Sequence, residues 1–341
     1  MEEDPAAHYY VPGIPMDKPA LMEAIRSLDL KSPSAVFAAL APEGAEDAKS
    51  KMGLASLLKM MWGEDMIDEK DARFVNDRVH ANIQKDGTFS VVPQMRGGVT
   101  TPDQLRRIAD VADKYSVPMV KLTGGQRIDL LGIKKEQLPA IWEELDMPSG
   151  HAYAKAVRTV KTCVGTDFCR FGLGDAMGVG IELERAMEGL YTPHKVKSAV
   201  TGCPRNCAEA YVKDIGLVAV EGGWELYVGG AAGATVRKGD LLSTVASSDE
   251  AIRLALAFLQ HYRESAEYLE RTYAYLDRVG VDFVRSAVLG DIDALIDRYR
   301  IAKAAADPDP WRERHTPVHP KQFSELDSEP ALVGPPAEGA R

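Results

Sequence analysis

TCVGTDFC (residues 162–169) and TGCPRNC (residues 201–207) hold all four cysteines of this 341-residue chain: Cys163, Cys169, Cys203 and Cys207. Two tight pairs with no cysteine elsewhere are not the framework of a disulfide-stapled domain, and a chain of this length can build a core without one. Gly165 lies inside the first pair, and Gly202 and Pro204 accompany the second, so the backbone can bend sharply around whatever the sulfurs hold. Three uses of such thiols stay open at this level. Buried structural cysteines are the first, although such residues do not call for paired thiols among glycine and proline. A zinc site with four thiolate ligands prefers two to four residues between paired cysteines, which the second pair satisfies and the first, with five, does not. An iron–sulfur cluster takes four soft thiolates on a tightly bent chain, with nearby amides donating to its sulfurs. The C-x2-C-x2-C run of a bacterial ferredoxin is absent.

Outward from the cysteines, a helix is expected near Asp175–Leu190, and strands over Lys195–Val200, Ile215–Val220 and Trp224–Val228. Residues 249–305 read as consecutive helices, including one amphipathic run from Ala251 to Tyr275. Upstream, Val79, Ala81 and Ile83 alternate with polar residues as a strand does, Asp86-Gly87 signals a hairpin, and Thr88–Val92 returns. Gly97-Gly98 breaks the chain, and Thr101-Pro102 opens a helix with Leu105, Ile108, Ala109 and Ala112 on one face. Strands Met119–Leu122 and Ile128–Leu131 and a helix over Glu136–Leu145 complete the order ββαββα, an α+β unit. Before it lie three helices: one capped by Asp17 and running to Leu28, one opened by Ser32-Pro33 and running to Leu40, and one from Ala48 to Trp62. The tail after Asp307, rich in Pro, Glu and Gly, reads as a flexible linker.

The composition, 45% hydrophobic and 27% charged, is that of an ordinary globular protein. A formal net charge of -10 repels a phosphate backbone, so nucleic acid is excluded as a partner. No apolar run is long enough to span a membrane, and the acidic start Met1-Glu2-Glu3-Asp4 is not a signal peptide, so a cytoplasmic location is expected.

Taken with its flanks, the cysteine pattern becomes specific. Thr162-Cys163-x5-Cys169 followed by Thr201-Gly202-Cys203-Pro204-x-x-Cys207 resembles the signature of sirohaem-dependent nitrite and sulfite reductases. RFVNDRVHANIQKDGTFSVVP (73–93), KLTGGQRIDLLGIKKE (121–136), SGHAYAKAVRTVKTCVGTDFCRFG (149–172) and GWELYVGG (223–230) resemble the C-terminal sirohaem portion of the bacterial NAD(P)H-dependent nitrite reductase large subunit. The resemblance, which runs from about Tyr9 to about residue 320, implies an α+β fold. A ferredoxin-like half domain (71–148) and a sirohaem and 4Fe-4S domain (149–305) would follow an N-terminal helical extension (1–70), with a flexible tail at 306–341. It implies reduction of nitrite to ammonium, with sulfite reduction to sulfide as the nearest alternative. A non-catalytic electron-transfer protein and a zinc module are the rivals from other classes. All four cysteines would ligate the cluster, and Cys207 would also bridge to the sirohaem iron. Lys195 and Lys197, alternating along one strand and so facing one way, would hold the substrate anion. Arg96, Gln126, Arg127, Arg158, Lys161, Arg170, Arg205 and Asn206 are the candidates for the sirohaem carboxylates, and His80 and His194 for proton donors.

The departures from the family pattern are informative too. Its Thr-x-Arg-Gln strand appears here as Thr123-Gly124-Gly125-Gln126, with Arg127 next. Gly44–Leu58 resembles a 2Fe-2S module with Asp47 and Ser50 standing where cysteines would be. No strand–GxGxxG–helix unit is visible, so electrons are expected from a separate flavoprotein or other donor. One reductase half stands where monomeric relatives have two, which predicts a homodimer whose subunits complete each other's pockets.

Overall fold

The computed structural model describes residues 8–67, 69, 80–153, 156–304 and 306. Arg78 and Val79 of the expected first strand, and the tail after Asp307, lie outside the described residues.

Local capping sets the first helices. The Asp17 carboxylate accepts from Ala20 N at 2.9 Å to open α1 (Lys18–Ser27), and Ser32 accepts from Ala35 N at 3.2 Å to open α2 (Pro33–Leu40). With α3 (Ala48–Trp62) they enclose a small core of Leu21, Ile25, Val36, Phe37, Leu54 and Leu58. Asp47 and Ser50 bond each other, Ser50 Oγ donating to Asp47 Oδ2 at 2.5 Å, and Gly13 N donates to Ser50 Oγ at 2.8 Å.

The next unit is an antiparallel sheet of β1 (Asn82–Ile83), β2 (Phe89–Val91), β3 (Met119–Leu122) and β4 (Ile128–Ile133), in the order β1-β2-β4-β3. It shares a core with α4 (Pro102–Lys114) and α5 (Leu138–Leu145), built from Phe89, Val91, Ile108, Val111, Leu130, Ile141 and Trp142 among others. Thr101 and Gln104 form a reciprocal capping box at the start of α4. Of the expected face of α4, Ile108 and Ala112 are buried, with Val111 beside them, whereas Leu105 and Ala109 are exposed. The i, i+3, i+4 set that meets the sheet starts one turn later than the sequence reading placed it.

The larger unit carries the cysteines. β5 (Val157–Thr162), β6 (Val196–Thr201), β7 (Ile215–Val220), β8 (Gly223–Val228) and β11 (Asp240–Val245) form a mixed sheet in the order β11-β8-β7-β6-β5. β5, β6 and β7 run parallel, and β8 and β11 are antiparallel to their neighbours. A short ribbon of β9 (Ala231–Ala232) and β10 (Val236–Arg237) lies between β8 and β11 in the chain. One face of the sheet, with Val160, Val196, Val200 and Leu217, packs into a core with α7 (Ala176–Met187) and α8 (Ser248–Ser265). Three further helices, α9 (Thr272–Val279), α10 (Val281–Gly290) and α11 (Ile292–Ala304), close that side. The expected single run from Ala251 to Tyr275 is broken: α8 ends at Ser265, and Leu269 takes φ 63 in the connection to α9. Breaking there turns Arg271 and Thr272 back toward β6 and β7. No helix among the described residues is long and apolar enough to cross a membrane.

Side chains rivet the units together. Buried Lys18 Nζ donates to Arg263 O at 3.0 Å and Ala266 O at 2.6 Å, the carbonyls at the end of α8. Glu184 of α7 accepts from Gly97 N at 3.0 Å and from Val160 N at 2.9 Å with one oxygen, and from Gln94 at 3.3 Å with the other. Beside it, Arg96 forks onto Glu188.

Candidate active site

The parallel strands β5 and β6 end together, and each runs directly into a cysteine, Cys163 after β5 and Cys203 soon after β6. From Cys163 the chain folds into the single turn α6 (Gly165–Phe168), which Cys169 ends by donating its N–H to Gly165 O at 3.0 Å. After Cys203, Asn206 adopts a left-handed conformation (φ 58), and its side chain accepts from Tyr211 N at 3.2 Å, which fixes the turn that carries the exposed Cys207. Gly202 N donates to Cys163 Sγ at 3.1 Å, and Thr201 Oγ1 lies 3.8 Å from the same sulfur. Amide donation to sulfur stabilises a thiolate.

Glycine makes this closeness possible. A Cβ on Gly202 would stand 2.9 Å from Gly165 Cα, and one on Gly165, whose φ is +55, would stand 2.6 Å from Ala176 N. Phe171 then pins the two cysteine loops, with the Arg170 and Arg205 guanidiniums 4.6 and 3.8 Å from its ring centroid. Among the described residues no three of His, Cys, Asp and Glu are gathered tightly enough to hold one metal ion. Paired thiols at adjacent strand ends, an amide already aimed at sulfur and a backbone bent by glycine suit an iron–sulfur cluster.

Cations collect toward the other end of the same strands. Arg158 is the second residue of β5, and Lys195 and Lys197 flank Val196, the first residue of β6. None of Arg127, Arg158, Lys195 and Lys197 is in an ion pair among the described residues. Burial and then the Arg127 charge push Arg158 down to about 10. Lys195 is lowered by burial and then by Arg271 and Arg158, and Lys197 by burial and then by Lys195 and Arg271. These groups therefore sense one another as a positive pocket inside an acidic chain, with the character needed for a small anion and a cofactor bearing carboxylates. Arg127 Nε and Arg158 Nε are buried with no hydrogen-bond partner among the described residues.

The remaining candidates divide. Gln126 gives both ends of its amide to Thr162, donating to its carbonyl at 2.7 Å and accepting from its N–H at 2.9 Å, so it aligns the residue before Cys163. Arg127 donates to Gly150 O at 3.0 Å. Lys161 pairs with Glu209 at 3.2 Å, and Arg96 is held by Glu188. His194 Nδ1 accepts from Lys195 N at 2.8 Å, and His80 is buried against Tyr153.

Two residues of the pocket are not anticipated by the sequence. Asp214, fully buried at the start of β7, accepts from Lys197 N at 2.8 Å and from Arg271 Nη2 at 2.8 and 3.0 Å, and Thr272 Oγ1 also donates to it. It thereby ties the lysine strand to Arg271 at the head of α9. The only sequence signal was an acid one residue before an apolar strand, which burial there makes costly unless paired.

Residues 153–294 match the model of the nitrite and sulphite reductase 4Fe-4S domain, and residues 82–148 match the nitrite/sulfite reductase ferredoxin-like half domain. The chain is 56% identical over 274 residues to the NAD(P)H nitrite reductase of Bacillus subtilis, covering 80% of this chain and 34% of that one. To the assimilatory-type sulfite reductase of Nitratidesulfovibrio vulgaris it is 41% identical over 211 residues, covering 62% of this chain and 97% of that one. The solved structure of the Mycobacterium tuberculosis NirA protein shares the fold, with a TM-score of 0.58 at 15% identity over 79% of this chain and 54% of that one. The chain thus spans about a third of the length of the Bacillus nitrite reductase it matches.

Proposed function

Since the chain belongs to the nitrite and sulphite reductase family, whose cofactors are a 4Fe-4S cluster and sirohaem, we propose that it reduces nitrite to ammonium. The observation that carries this reading is the polarity of β5 and β6: thiols at their carboxyl ends, and toward their amino ends cations with no ion-pair partner among the described residues. Cys163, Cys169, Cys203 and Cys207 would hold the cluster, and Cys207, the exposed one of the four, would also hold the sirohaem iron. When bound, the coupled cofactors accept electrons singly and deliver six to the anion. Lys195 and Lys197, with Arg158 and Arg271 behind them, bind nitrite as point charges and donors. Lowered by burial and by neighbouring cations, the lysines release protons more readily than ordinary lysines. Arg127, Arg158, Arg170 and Arg205 would hold the sirohaem carboxylates. The unit boundaries 1–70, 71–148, 149–305 and 306–341 belong to the same reading.

Electrons come from a separate donor. A relative that is 32% identical over 59% of this chain, the assimilatory nitrate reductase electron transfer subunit of Bacillus subtilis, supports such a division. The active form is a homodimer. Support comes from β3, an edge strand exposed along its whole length, with Met119 at 57%, Val120 at 50% and Leu122 at 79% exposure. An open edge with apolar side chains on both faces invites a second strand.

The test is optical and kinetic. The loaded protein shows coupled sirohaem and cluster bands and converts nitrite to ammonium with a chemical reductant faster than it converts sulfite to sulfide. Cys207→Ser removes both chromophores. Cluster bands without sirohaem, or a colourless zinc protein, would overturn the reading.

A further inference from the structure

Helix α8 ends where the chain must turn back toward the lysine strand, and the group that finishes it lies 245 residues away. The last four carbonyls of a helix have no partner inside it. Lys18, the first residue of α1, donates from Nζ to two of them, Arg263 O at 3.0 Å and Ala266 O at 2.6 Å, and is 2% exposed. A cation suits a helix C-terminus. Burial pushes this ammonium down to about 7, and Glu267, Glu264 and Glu270 pull it back. The residues that follow α8, Ala266-Glu267-Tyr268-Leu269-Glu270, hold no glycine to end it by an easy left-handed turn. The N-terminal unit therefore caps α8 from outside.

A second contact grips the same connection. Tyr268 packs against the core of the N-terminal unit, its ring centroid 6.1 Å from that of Tyr10. Gly53 of α3 admits it, since a Cβ there would stand 3.1 Å from Tyr268 Cδ1 and 2.4 Å from Val11 Cγ1. On its other side the connection holds the lysine strand at three points. Arg263 Nε donates to Tyr191 O at 2.6 Å, and Leu269 N donates to Pro193 O at 3.1 Å, two residues before Lys195. Arg271 and Thr272 both donate to Asp214, which accepts from Lys197 N at 2.8 Å. Leu269 makes its bond from left-handed backbone, at φ 63, a conformation that a leucine adopts at a cost and keeps only where its surroundings hold it.

We propose that Lys18 is a positioning residue for the anion site: by capping α8 it fixes the connection that sets Arg271, and through Asp214 Lys197, where nitrite binds. This rests on the nitrite-reductase reading above. The links run in series, from Lys18 to Ala266 O, along five residues of chain to Arg271, from Arg271 to Asp214, and from Asp214 to Lys197 N. The bond from Leu269 to Pro193 runs beside them toward Lys195. None of these links passes through a cysteine, so the strut governs how the anion is held and leaves the cluster alone. In this role the N-terminal unit serves the reaction without touching substrate or cofactor.

Lys18→Met keeps the stem and removes the donors. In the loaded variant, with sirohaem and cluster bands as in wild type, the nitrite KM rises roughly tenfold while kcat changes little, the pattern of lost substrate binding. Arg271→Gln raises KM as well, and Lys18→Met adds nothing further in that background, because both act through one guanidinium. Hydrogen exchange of the loaded proteins reads the strut without turnover. Peptides covering 191–198 and 266–272 exchange roughly tenfold faster in Lys18→Met, while those of β7 and β8 keep the wild-type rate. Gly53→Ala presses on Tyr268 with no change of charge; it reproduces both results and covers the case in which the Met variant fails to fold. An unchanged KM, a KM effect that adds in full to that of Arg271→Gln, or faster exchange spread evenly through β7 and β8 would overturn the proposal and leave Lys18 a purely structural residue. Failure of both variants to fold would do the same. Absence of nitrite turnover in the wild-type protein would instead overturn the reductase reading, and the exchange pattern would still decide whether Lys18 sets the lysine strand.

Discussion

Replacing Glu184 by Gln should remove a pH-dependent weakness from the joint between the two reductase units. Glu184 is 3% exposed, and burial pushes it from the usual 4.5 up to about 7 against three donated hydrogen bonds, from Gly97 N, Val160 N and Gln94. A raised carboxylate gives up its proton later in the folded chain than in the unfolded one. Below about pH 4.5 both states hold the proton and there is no penalty. As pH climbs from there through about 7 the unfolded chain ionises first, and stability falls. At about 1.4 kcal/mol per pH unit the full loss is about 3 kcal/mol above neutrality. The amide of the Glu184→Gln variant keeps an oxygen for the two backbone donors and turns its NH2 toward Gln94 Oε1, which is buried without a partner in the wild type. Urea unfolding of both proteins from pH 5 to 8.5 should show the variant pulling ahead as pH rises, by up to about 1 M in midpoint. Parallel pH profiles would refute the reasoning.

Other expectations address the pocket and the interface. Lys197→Ala should lower nitrite kcat/KM by on the order of a hundredfold with the visible spectrum intact; an unchanged rate would remove the residue from the site. Both lysines are lowered first by burial and then by neighbouring cations, so activity that needs them protonated should fail on the alkaline side sooner than ordinary lysines would allow. Arg158→Gln, which removes one of those cations, should move that alkaline limit upward in a pH–rate profile. Asp214→Ala leaves Arg271 and Lys197 N without their shared acceptor and should destabilise the chain by about 3 kcal/mol, measurable by denaturation. Leu122→Glu should convert a dimer to monomers in sedimentation velocity and lower specific activity at low protein concentration; a wild type that is monomeric throughout turnover would contradict the interface.

What could be read from the sequence was local. Asp17, Ser32 and Thr101 each cap a helix three residues away, a distance at which side chain and backbone must meet. The cysteine pairs were legible because each lies at the mouth of a strand with its bending glycines beside it. β5 was not evident because VRTVKT repeats valine, cation and threonine with a period of three, not the period of two that marks a strand. The register of α4 was misplaced because Leu105 and Ala109 satisfy helical spacing as well as Val111 does, and only the sheet decides which stripe is covered. Asp214 and Arg271 are 57 residues apart, and His80 and Tyr153 are 73 apart. No periodicity encodes such meetings; they follow from how the chain crosses between the units and how α8 is broken before α9.

The parallel pair β5 and β6 also makes separation along the chain a quantised variable. Each strand has six residues; along β6 every residue advances the chain by about 3.3 Å while turning the next side chain to the opposite face, whereas β5 shifts register against β6 between Val157 and Val160. Deleting one residue between Lys197 and Cys203 would therefore shorten the interval by about 3.3 Å and also turn the lysine into the helical core. Deleting two would restore the face and leave the lysine about 7 Å out of place. Natural variants should thus keep the count from Lys197 to Cys203 constant.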